Sequence, residues 1–427
     1  MGSPTIVSLF SGIGGLDIGV EAATGGRVVL NCEADAYCRS VLAKHWPEAL
    51  QVDDVRAMYH RCATTVAPAI PLQGCNPDLV IGGFPCQDLS VAGKMKGLDG
   101  ERSGLWFEML RVIDATKPAG VFIENVVGIR KRGLSTVVRG LTELGYNVVW
   151  SPLAAAHVGA PHRRSRMWIY ARHEEARGEN MSLRGAAASI WERNSGDFEP
   201  WERGVPRVLP KGRYPGRVQR LKAIGNAVVP ECARQAFLLL NEEMDDLEHA
   251  IPRGTLPRSQ HERWPHYEGY DLLHTFPTKD GHPPLGGAVV EGHFVSITRI
   301  DRASRLKKLI TYPTPAASQS GYNQGGAAGR VGPKRHSLNS MAASGHWPTP
   351  TPTNQPGLFT RVNNSAKQRM VERIWATPTV QDSANNGGPS QFRRNSLPLN
   401  AEVAGPLNPT WVELLMGFEP DHTEVIQ

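Results

Sequence analysis

A cysteine between proline and glutamine is the first residue whose type and position could do chemistry. Cys86 lies in the run Gly82-Gly83-Phe84-Pro85-Cys86-Gln87, directly after the apolar run Pro77–Ile81. A short apolar run that ends at a glycine pair is typical of a buried parallel strand. Open α/β sheets bind ligands at the carboxyl ends of such strands, so Cys86 is a candidate nucleophile. Position alone, however, favours an inert buried thiol.

Four further polar residues lie near the beginning or end of a predicted strand. Glu124, followed by Asn125, is near the end of the apolar run Val121–Val126, and Arg164 and Arg166 lie just before the run Met167–Ala171. A carboxyl group there could transfer a proton, and a guanidinium could stabilise developing negative charge. Without further context, phosphate contact or surface charge explains the two arginines as well as a role in stabilising charge does.

A glycine turn opens the chain. The apolar run Thr5–Phe10 is followed by Ser11-Gly12-Ile13-Gly14-Gly15 and then by a helical pattern. Strand, glycine turn and helix form the entry of a Rossmann-like nucleotide site, although the spacing is not GxGxxG. The next strand, Arg27–Cys32, ends at Glu33, which suits either ribose hydroxyls or a solvated strand end.

The remaining patterns indicate the elements that must position these groups. We expect an α/β fold with a Rossmann-like sheet and helices on both faces. A weak third strand ends at Val52–Val55; further strands are predicted at Tyr146–Leu153 and Met167–Ala171, and helices at Gly104–Ile113 and from Pro230 to about Leu247. Residues 88–102 contain three glycines and two lysines and are predicted to form a mobile lid.

Charge divides the chain into two parts. The net charge of the 427 residues is +6, and residues 301–400 hold 13 Lys and Arg against 3 Asp and Glu. A nearly neutral first half followed by a basic second half indicates a catalytic body and a polyanion-binding part, with ordinary surface charge as the alternative. An irregular aromatic–Pro–Thr repeat in the second half (276–278, 312–315, 347–350, 375–378) favours aromatic anchors for loops over direct stacking on bases.

Cysteine usage and hydropathy exclude other classes. The six cysteines, at 32, 38, 62, 75, 86 and 232, include no CxxC pair, which argues against structural zinc and against a disulfide framework. No signal peptide or membrane span is predicted. We therefore expect a cytoplasmic protein that does not contact a membrane.

Taken in order, the motifs resemble those of the DNA (cytosine-5)-methyltransferases. The resemblance covers roughly residues 1–240 and is carried by Phe10–Gly15, Gly83–Gln87, Glu124–Val126, Arg164–Arg166 and Gly225–Pro230. Each segment alone is modest support. Five in the family's order, each in the expected strand context, are specific.

The resemblance implies covalent catalysis on cytosine. Cys86 would add to C6 as a thiolate, which breaks the aromaticity of the ring and makes C5 nucleophilic. Glu124 would act as the acid near N3, Arg166 would contact O2, Arg164 would support the pocket and Asn125 the catalytic loop. A base inside a duplex cannot reach the thiol, so it would be flipped out, as is general for DNA methyltransferases.

The resemblance also implies S-adenosylmethionine as methyl donor, S-adenosylhomocysteine as product and no metal. Phe10 would lie against the adenine, Glu33 would bind the ribose hydroxyls, and Asp54 would meet the adenine amino group. The remaining cofactor contacts would come from Ser11, Gly12, Gly14, Gly15, Val55, Pro85, Leu105 and Asn226.

The chain departs from the family's usual order, because only 58 residues separate Arg166 from Gly225. We expect a catalytic domain at 1–248, in which 173–217 is an irregular linker and 218–248 packs back on the domain. A smaller, irregular, loop-rich DNA-recognition domain would follow at 249–427, where Leu407–Phe418 resembles a segment of phage-type members. On this division, a chain ending near residue 248 would keep the cofactor site. His162 stands where the family often has Gln.

Double-stranded DNA is the expected partner, a cognate restriction endonuclease is a second one to test, and the protein is expected to be a monomer. A tRNA cytosine methyltransferase and a non-catalytic DNA-binding relative remain as alternatives. A plain Rossmann oxidoreductase is disfavoured by the imperfect glycine motif and by the set of Cys86, Glu124 and Arg166.

Overall fold

The computed structural model describes the chain in segments. These are residues 3–59, 76–85, 104–176, 204–210, 212, 214–250, 282–290, 293–296, 322–324, 334–336, 375–384, 391 and 397–425. Cys86, the predicted lid at 88–102, most of the linker and three of the four aromatic–Pro–Thr repeats lie outside the described residues.

A nine-stranded mixed sheet forms the centre of the fold. Its strands are β1 (Thr5–Leu9), β2 (Arg27–Cys32), β3 (Leu50–Val52), β4 (Leu79–Gly82), β5 (Gly120–Val126), β6 (Tyr146–Ala154), β7 (Ser165–His173), β8 (Gly287–Val290) and β9 (His293–Ser296). They lie in the order β3-β2-β1-β4-β5-β7-β6-β8-β9. The first five are parallel, and β7 runs antiparallel to both β5 and β6. The strand order reverses between β1 and β4, which is where open α/β sheets bind ligands.

Helices cover the two faces of this sheet. They are α1 (Gly15–Thr24), α2 (Ala36–His45), α3 (Leu105–Thr116), α4 (Ile129–Arg132), α5 (Leu134–Glu143), α6 (Arg217–Asn226), α7 (Pro230–Ala250), α8 (Gln381–Ala384), α9 (Leu399–Val403) and α10 (Pro409–Leu415). Strands β10 (Tyr322–Gln324) and β11 (Lys334–His336) form a separate antiparallel pair. None of the helices in the described segments has the length and apolar character needed to cross a membrane.

Alternation along the strands explains the two layers. In β1, Ile6 packs into one hydrophobic cluster, whereas Val7 and Leu9 pack into the other. The first cluster takes its helical side chains from α1, α2, α6, α7, α9 and α10, and the second takes them from α3, α4 and α5. Because successive strand side chains point to opposite faces, an apolar strand needs a helix on each side. The predicted α/β sheet with helices on both faces is confirmed.

The second half of the chain contributes to the same core. Strand β8 pairs with β6 and extends the sheet, and Trp411 and Leu415 of α10 are fully buried in the first cluster. A boundary at residue 248 therefore does not separate two cores among the described residues. Residues 217–226 form a helix of their own, whereas the sequence pattern predicts a helix only from Pro230 onward.

Candidate active site at the carboxyl edge of the sheet

The glycine turn after β1 is held in a left-handed conformation. Phe10, Gly12 and Gly14 have φ values of 55°, 57° and 83°. The Gly14 amide donates to the Ser11 carbonyl at 2.9 Å, and the Ser11 hydroxyl donates to the Ser8 carbonyl at 3.1 Å. Glycine adopts positive φ without steric cost, so two of the three left-handed positions are relaxed. Among the described residues, no atom lies within 4 Å of a Cβ built on Gly12, which leaves that side of the turn open.

Glu33 fixes the turn from the neighbouring strand. Its Oε2 accepts from the Gly12 amide at 2.8 Å, and its Oε1 accepts from the Asp35 amide at 2.8 Å. A carboxylate has about four acceptor positions, so two remain for a ligand. Glu33 thus shapes the turn and keeps capacity to bind hydroxyl groups beside it.

The other predicted cofactor residues follow neighbouring strands and helices. Asp54 is exposed after β3, and its Oδ1 accepts from the Arg56 amide at 2.9 Å, while Val55 is buried beneath it. Pro85 is exposed after β4, and Leu105 begins α3. Parallel pairing of β3, β2, β1 and β4 brings Glu33, Asp54 and Pro85 to one edge of the sheet.

The last motif packs directly on the glycine turn. A Cβ on Gly15 would lie 2.2 Å from the Val228 carbonyl oxygen, closer than any side chain can approach. Asn226, the exposed last residue of α6, precedes this contact by two positions. The absence of a side chain at Gly15 therefore brings Asn226 close to the turn. We call this region the cofactor half; it comprises the glycine turn from Phe10 to Gly15, Glu33, Asp54 and Asn226.

A buried ion pair marks the other half of the edge. The Nε of Arg166 lies 2.7 Å from Oε1 of Glu124, and the two side chains are only 20% and 13% exposed. In the antiparallel pairing of β5 with β7, Arg166 lies opposite Val126, two residues beyond Glu124. A Cβ on Gly83 would lie 3.1 Å from Oε2 of Glu124, so this carboxyl group lies beside the strand end that leads to Cys86. We call this region the base half.

Burial and charge act in opposite directions on Glu124. Burial raises the pKa of its carboxyl group above the usual range, and the nearby guanidinium groups of Arg166 and Arg164 oppose that rise. Desolvation disfavours the charged form of an acid, whereas a neighbouring cation favours it. The protonation of Glu124 is therefore sensitive to Arg166.

Asn125 supports the start of the catalytic loop. Its side chain is 3% exposed, and its Nδ2 donates to the Phe84 carbonyl at 2.9 Å. Phe84 packs against Trp106 of α3 with a centroid separation of 5.3 Å. These contacts fix the backbone two residues before Cys86.

Arg164 contacts main-chain carbonyls of the last motif and of Pro378. Its side chain is buried and donates to the main-chain carbonyls of Pro378, Gly225 and Ala227. Its own amide donates to the hydroxyl of Thr377 at 3.1 Å. These donors bind main-chain carbonyls, so they are not available to a base. The guanidinium instead links the last motif to residues 377–380.

No pattern in the sequence predicts a role for two buried histidines, His162 and His422. His162 is fully buried, and burial together with Arg164 lowers its pKa to about 3, so it is neutral at physiological pH. His422 lies against the glycine turn, where its Nε2 is 2.8 Å from the Ile13 carbonyl oxygen. The neighbouring segment Leu407–Phe418 resembles one in phage-type members of the family. No spacing pattern in the sequence, however, predicts that this part of the chain contacts residue 13.

The amino-acid sequence is similar to those of known DNA methyltransferases. The family model described as C-5 cytosine-specific DNA methylase matches residues 4–197. The chain is 36% identical over 174 residues to the Type II methyltransferase M2.BsuMI of Bacillus subtilis (strain 168), covering 39% of this chain and 41% of that protein. It is 34% identical over 177 residues to the Type II methyltransferase M.AquIA of Picosynechococcus sp., covering 38% of this chain and 70% of that protein.

The matched segments cover only part of most of these proteins. The matched segments span less than half the length of the relatives from B. subtilis and Dactylococcopsis salina, at 41% and 44%. A solved structure titled as a putative DNA modification methyltransferase encoded within an E. coli prophage is 23% identical, with a TM-score of 0.34 and coverage of 52% of this chain and 64% of that chain. The match to M.AquIA and the family model show that the chain belongs to the C-5 cytosine-specific DNA methylase family.

Proposed function

We propose that the protein transfers a methyl group from S-adenosylmethionine to C5 of a flipped-out cytosine in a specific double-stranded DNA sequence. The observation that carries this proposal is the Glu124–Arg166 pair beside Gly83, on the same sheet edge as the glycine turn and Glu33. An acid, a cation and a loop cysteine next to a nucleotide-type turn are what methylation of cytosine C5 requires.

The cofactor half fits S-adenosylmethionine. The open side of the turn at Gly12 allows a ligand to approach the backbone, and the two remaining acceptor positions of Glu33 suit a ribose diol. Asp54, exposed at the next strand end, suits the adenine amino group. When bound, the cofactor supplies an electrophilic methyl group on a sulfonium.

Cys86 is the proposed nucleophile. Its thiolate forms a bond to C6 of the cytosine, and the electrons of the C5–C6 double bond shift through the ring toward N3 and O2. Protonated Glu124 donates a hydrogen bond or proton at N3, and burial favours that protonated form. Arg166 stabilises the charge at O2. After methylation, loss of the C5 proton to a base returns electrons to the ring and expels the thiolate of Cys86.

Arg164 and Asn125 hold this arrangement in place. Asn125 fixes the Phe84 carbonyl ahead of Cys86, and Arg164 fixes the last motif through the Gly225 and Ala227 carbonyls. Correct placement of reacting groups accounts for a large share of enzymatic rate enhancement. Both residues therefore act through their neighbours.

DNA recognition is proposed for the basic stretch between residues 301 and 400, within the region 249–427. Its excess of 13 basic over 3 acidic residues between 301 and 400 suits phosphate contacts, which make binding strongly salt-dependent. We further propose a cytoplasmic monomer that needs no metal, with a cognate restriction endonuclease as a partner to be sought.

Bisulfite sequencing tests the function. The full chain and its Cys86→Ser variant are expressed in a bacterial host that lacks cytosine methylation. We expect protected cytosines in one sequence context from the full chain and none from the variant. A folded, cofactor-binding protein that protects no DNA cytosine contradicts the proposal, and protection confined to tRNA identifies an RNA methyltransferase instead.

A further inference from the structure

The carboxyl-terminal residues 409–425, which we call the C-terminal clamp, contact the glycine turn directly. The imidazole of His422 is 4% exposed, and its Nε2 lies 2.8 Å from the carbonyl oxygen of Ile13. A carbonyl oxygen only accepts hydrogen bonds, so the Nε2 atom carries the proton and donates. Ile13 lies between the two left-handed glycines of the turn, Gly12 and Gly14.

Aromatic packing fixes the orientation of this imidazole. His422 stacks on His45 of α2 at a centroid distance of 4.0 Å and on Phe418 at 4.6 Å. Phe418 also closes on the start of α1, because a Cβ on Gly15 would lie 3.0 Å from its ring. The clamp therefore covers the turn at two successive points, the Ile13 carbonyl and Gly15.

Polar contacts anchor the clamp to the helices that flank the turn. Arg220 of α6 donates to Glu413 at 2.9 Å and to Asp421 at 3.0 Å. The hydroxyl of Tyr37 in α2 donates to the Thr423 carbonyl at 2.6 Å. A buried acid paired with an arginine resists separation, because breaking such a pair leaves an uncompensated charge.

Glu33 and His422 hold neighbouring residues of the turn from different parts of the chain. Glu33 accepts from the Gly12 amide, and His422 donates to the Ile13 carbonyl. A buried carbonyl that loses its donor pays the full cost of desolvation, so the turn would have to rearrange to reach another partner.

We propose that the clamp sets the conformation of the glycine turn, and that His422 is a positioning residue for S-adenosylmethionine binding. This inference rests on the proposed function. It also reverses the expectation that a chain ending near residue 248 keeps the cofactor site, because such a chain lacks His422 and Phe418.

The test compares substitutions in the full-length protein. His422→Phe keeps the aromatic stack and removes the donor, whereas His422→Gln can keep an N–H near the same position. Ser40→Ala is the matched control, because it removes an exposed hydrogen bond within α2 and leaves the contacts of the clamp and of the turn intact. Calorimetry gives the Kd for S-adenosylmethionine, and steady-state kinetics gives kcat and the KM for DNA.

We expect His422→Phe to raise the cofactor Kd about tenfold, as for an unsatisfied buried carbonyl. His422→Gln should stay within about threefold of wild type and Ser40→Ala within about twofold, because each spares the donor to Ile13. The value of kcat at saturating cofactor and the KM for DNA should not change. An unchanged Kd for His422→Phe, or an equal loss in Ser40→Ala, would overturn the proposal.

A second variant covers the case in which His422→Phe does not fold. Phe418→Leu keeps the hydrogen bond and loosens the contact at Gly15, and we expect a Kd about threefold higher, in the range of a modest packing change. An unchanged Kd in this variant would then reject the clamp. A wild-type protein that binds no S-adenosylmethionine would instead reject the proposed function itself.

Discussion

The cofactor half and the base half of the sheet edge are built in different ways. In the cofactor half, backbone amides and carbonyls of a glycine turn are bound by two side chains, Glu33 and His422. In the base half, a buried ion pair between Glu124 and Arg166 crosses two antiparallel strands. The contacts in the cofactor half hold the backbone of the turn in one conformation. The ion pair in the base half influences the protonation of Glu124. Binding and proton transfer should therefore fail separately when each half is changed.

The largest separation is expected from Glu124→Gln. Loss of the acid at N3 should lower kcat about 10²- to 10⁴-fold, the usual range for a general acid. The Kd for S-adenosylmethionine should not change, because Glu124 makes no contact with the turn among the described bonds. Single-turnover methylation and calorimetry measure the two quantities. Glu143→Gln, on a side chain 64% exposed, is the control. A parallel loss of cofactor binding in Glu124→Gln would contradict the division into halves.

Arg166 gives the pH dependence of the base half. Burial raises the pKa of Glu124 and Arg166 lowers it, so Arg166→Met should raise that pKa further. Protonated Glu124 then persists to higher pH, and the alkaline decline of the rate should move upward. The rate itself should fall about 10²- to 10³-fold with loss of an electrostatic donor.

Arg166→Lys is the matched comparison, since it keeps the positive charge. The alkaline limb of its pH–rate profile should stay nearer the wild-type position. An acid limb that moves to higher pH in Arg166→Met, with no upward shift of the alkaline limb, would show that Glu124 acts in its ionised form.

Glu33→Gln should give the smallest effect and should be confined to the cofactor half. The amide keeps one oxygen for the Gly12 N–H and loses charge and acceptor capacity toward a ribose. We expect the binding of S-adenosylmethionine to weaken by about 1–3 kcal/mol, as for a lost hydrogen bond to a charged group. Calorimetry on this variant and on the exposed control Glu48→Gln measures it. If the affinities are equal, Glu33 only shapes the turn.

Local rules explain which parts of the fold were predictable. Strand β2 was predicted at its observed limits, and α7 begins at Pro230 as expected, because apolar runs and a proline at a helix start act over a few residues. The glycine turn was found for the same reason, since left-handed φ values select glycine at Gly12 and Gly14.

The rest depends on contacts between distant residues. The ion pair of Glu124 and Arg166 requires the register of β5 against β7, and the bond from His422 to Ile13 joins residues 409 positions apart. No periodicity encodes either contact. Arg164 was assigned to the pocket through its motif, but its burial against three carbonyls appears only once the last motif and residues 377–380 are folded together.

The central claim is that Cys86 attacks cytosine C6 in DNA, and covalent trapping tests it most directly. The protein is incubated with S-adenosylmethionine and duplex DNA that contains 5-fluorocytosine in its target site, whose C5 substituent cannot leave as a proton does. Denaturing electrophoresis should show a protein–DNA band for the wild type and none for Cys86→Ser, although both bind the cofactor. A band that persists in Cys86→Ser, or its absence from a wild type that methylates the unmodified site, would contradict the account.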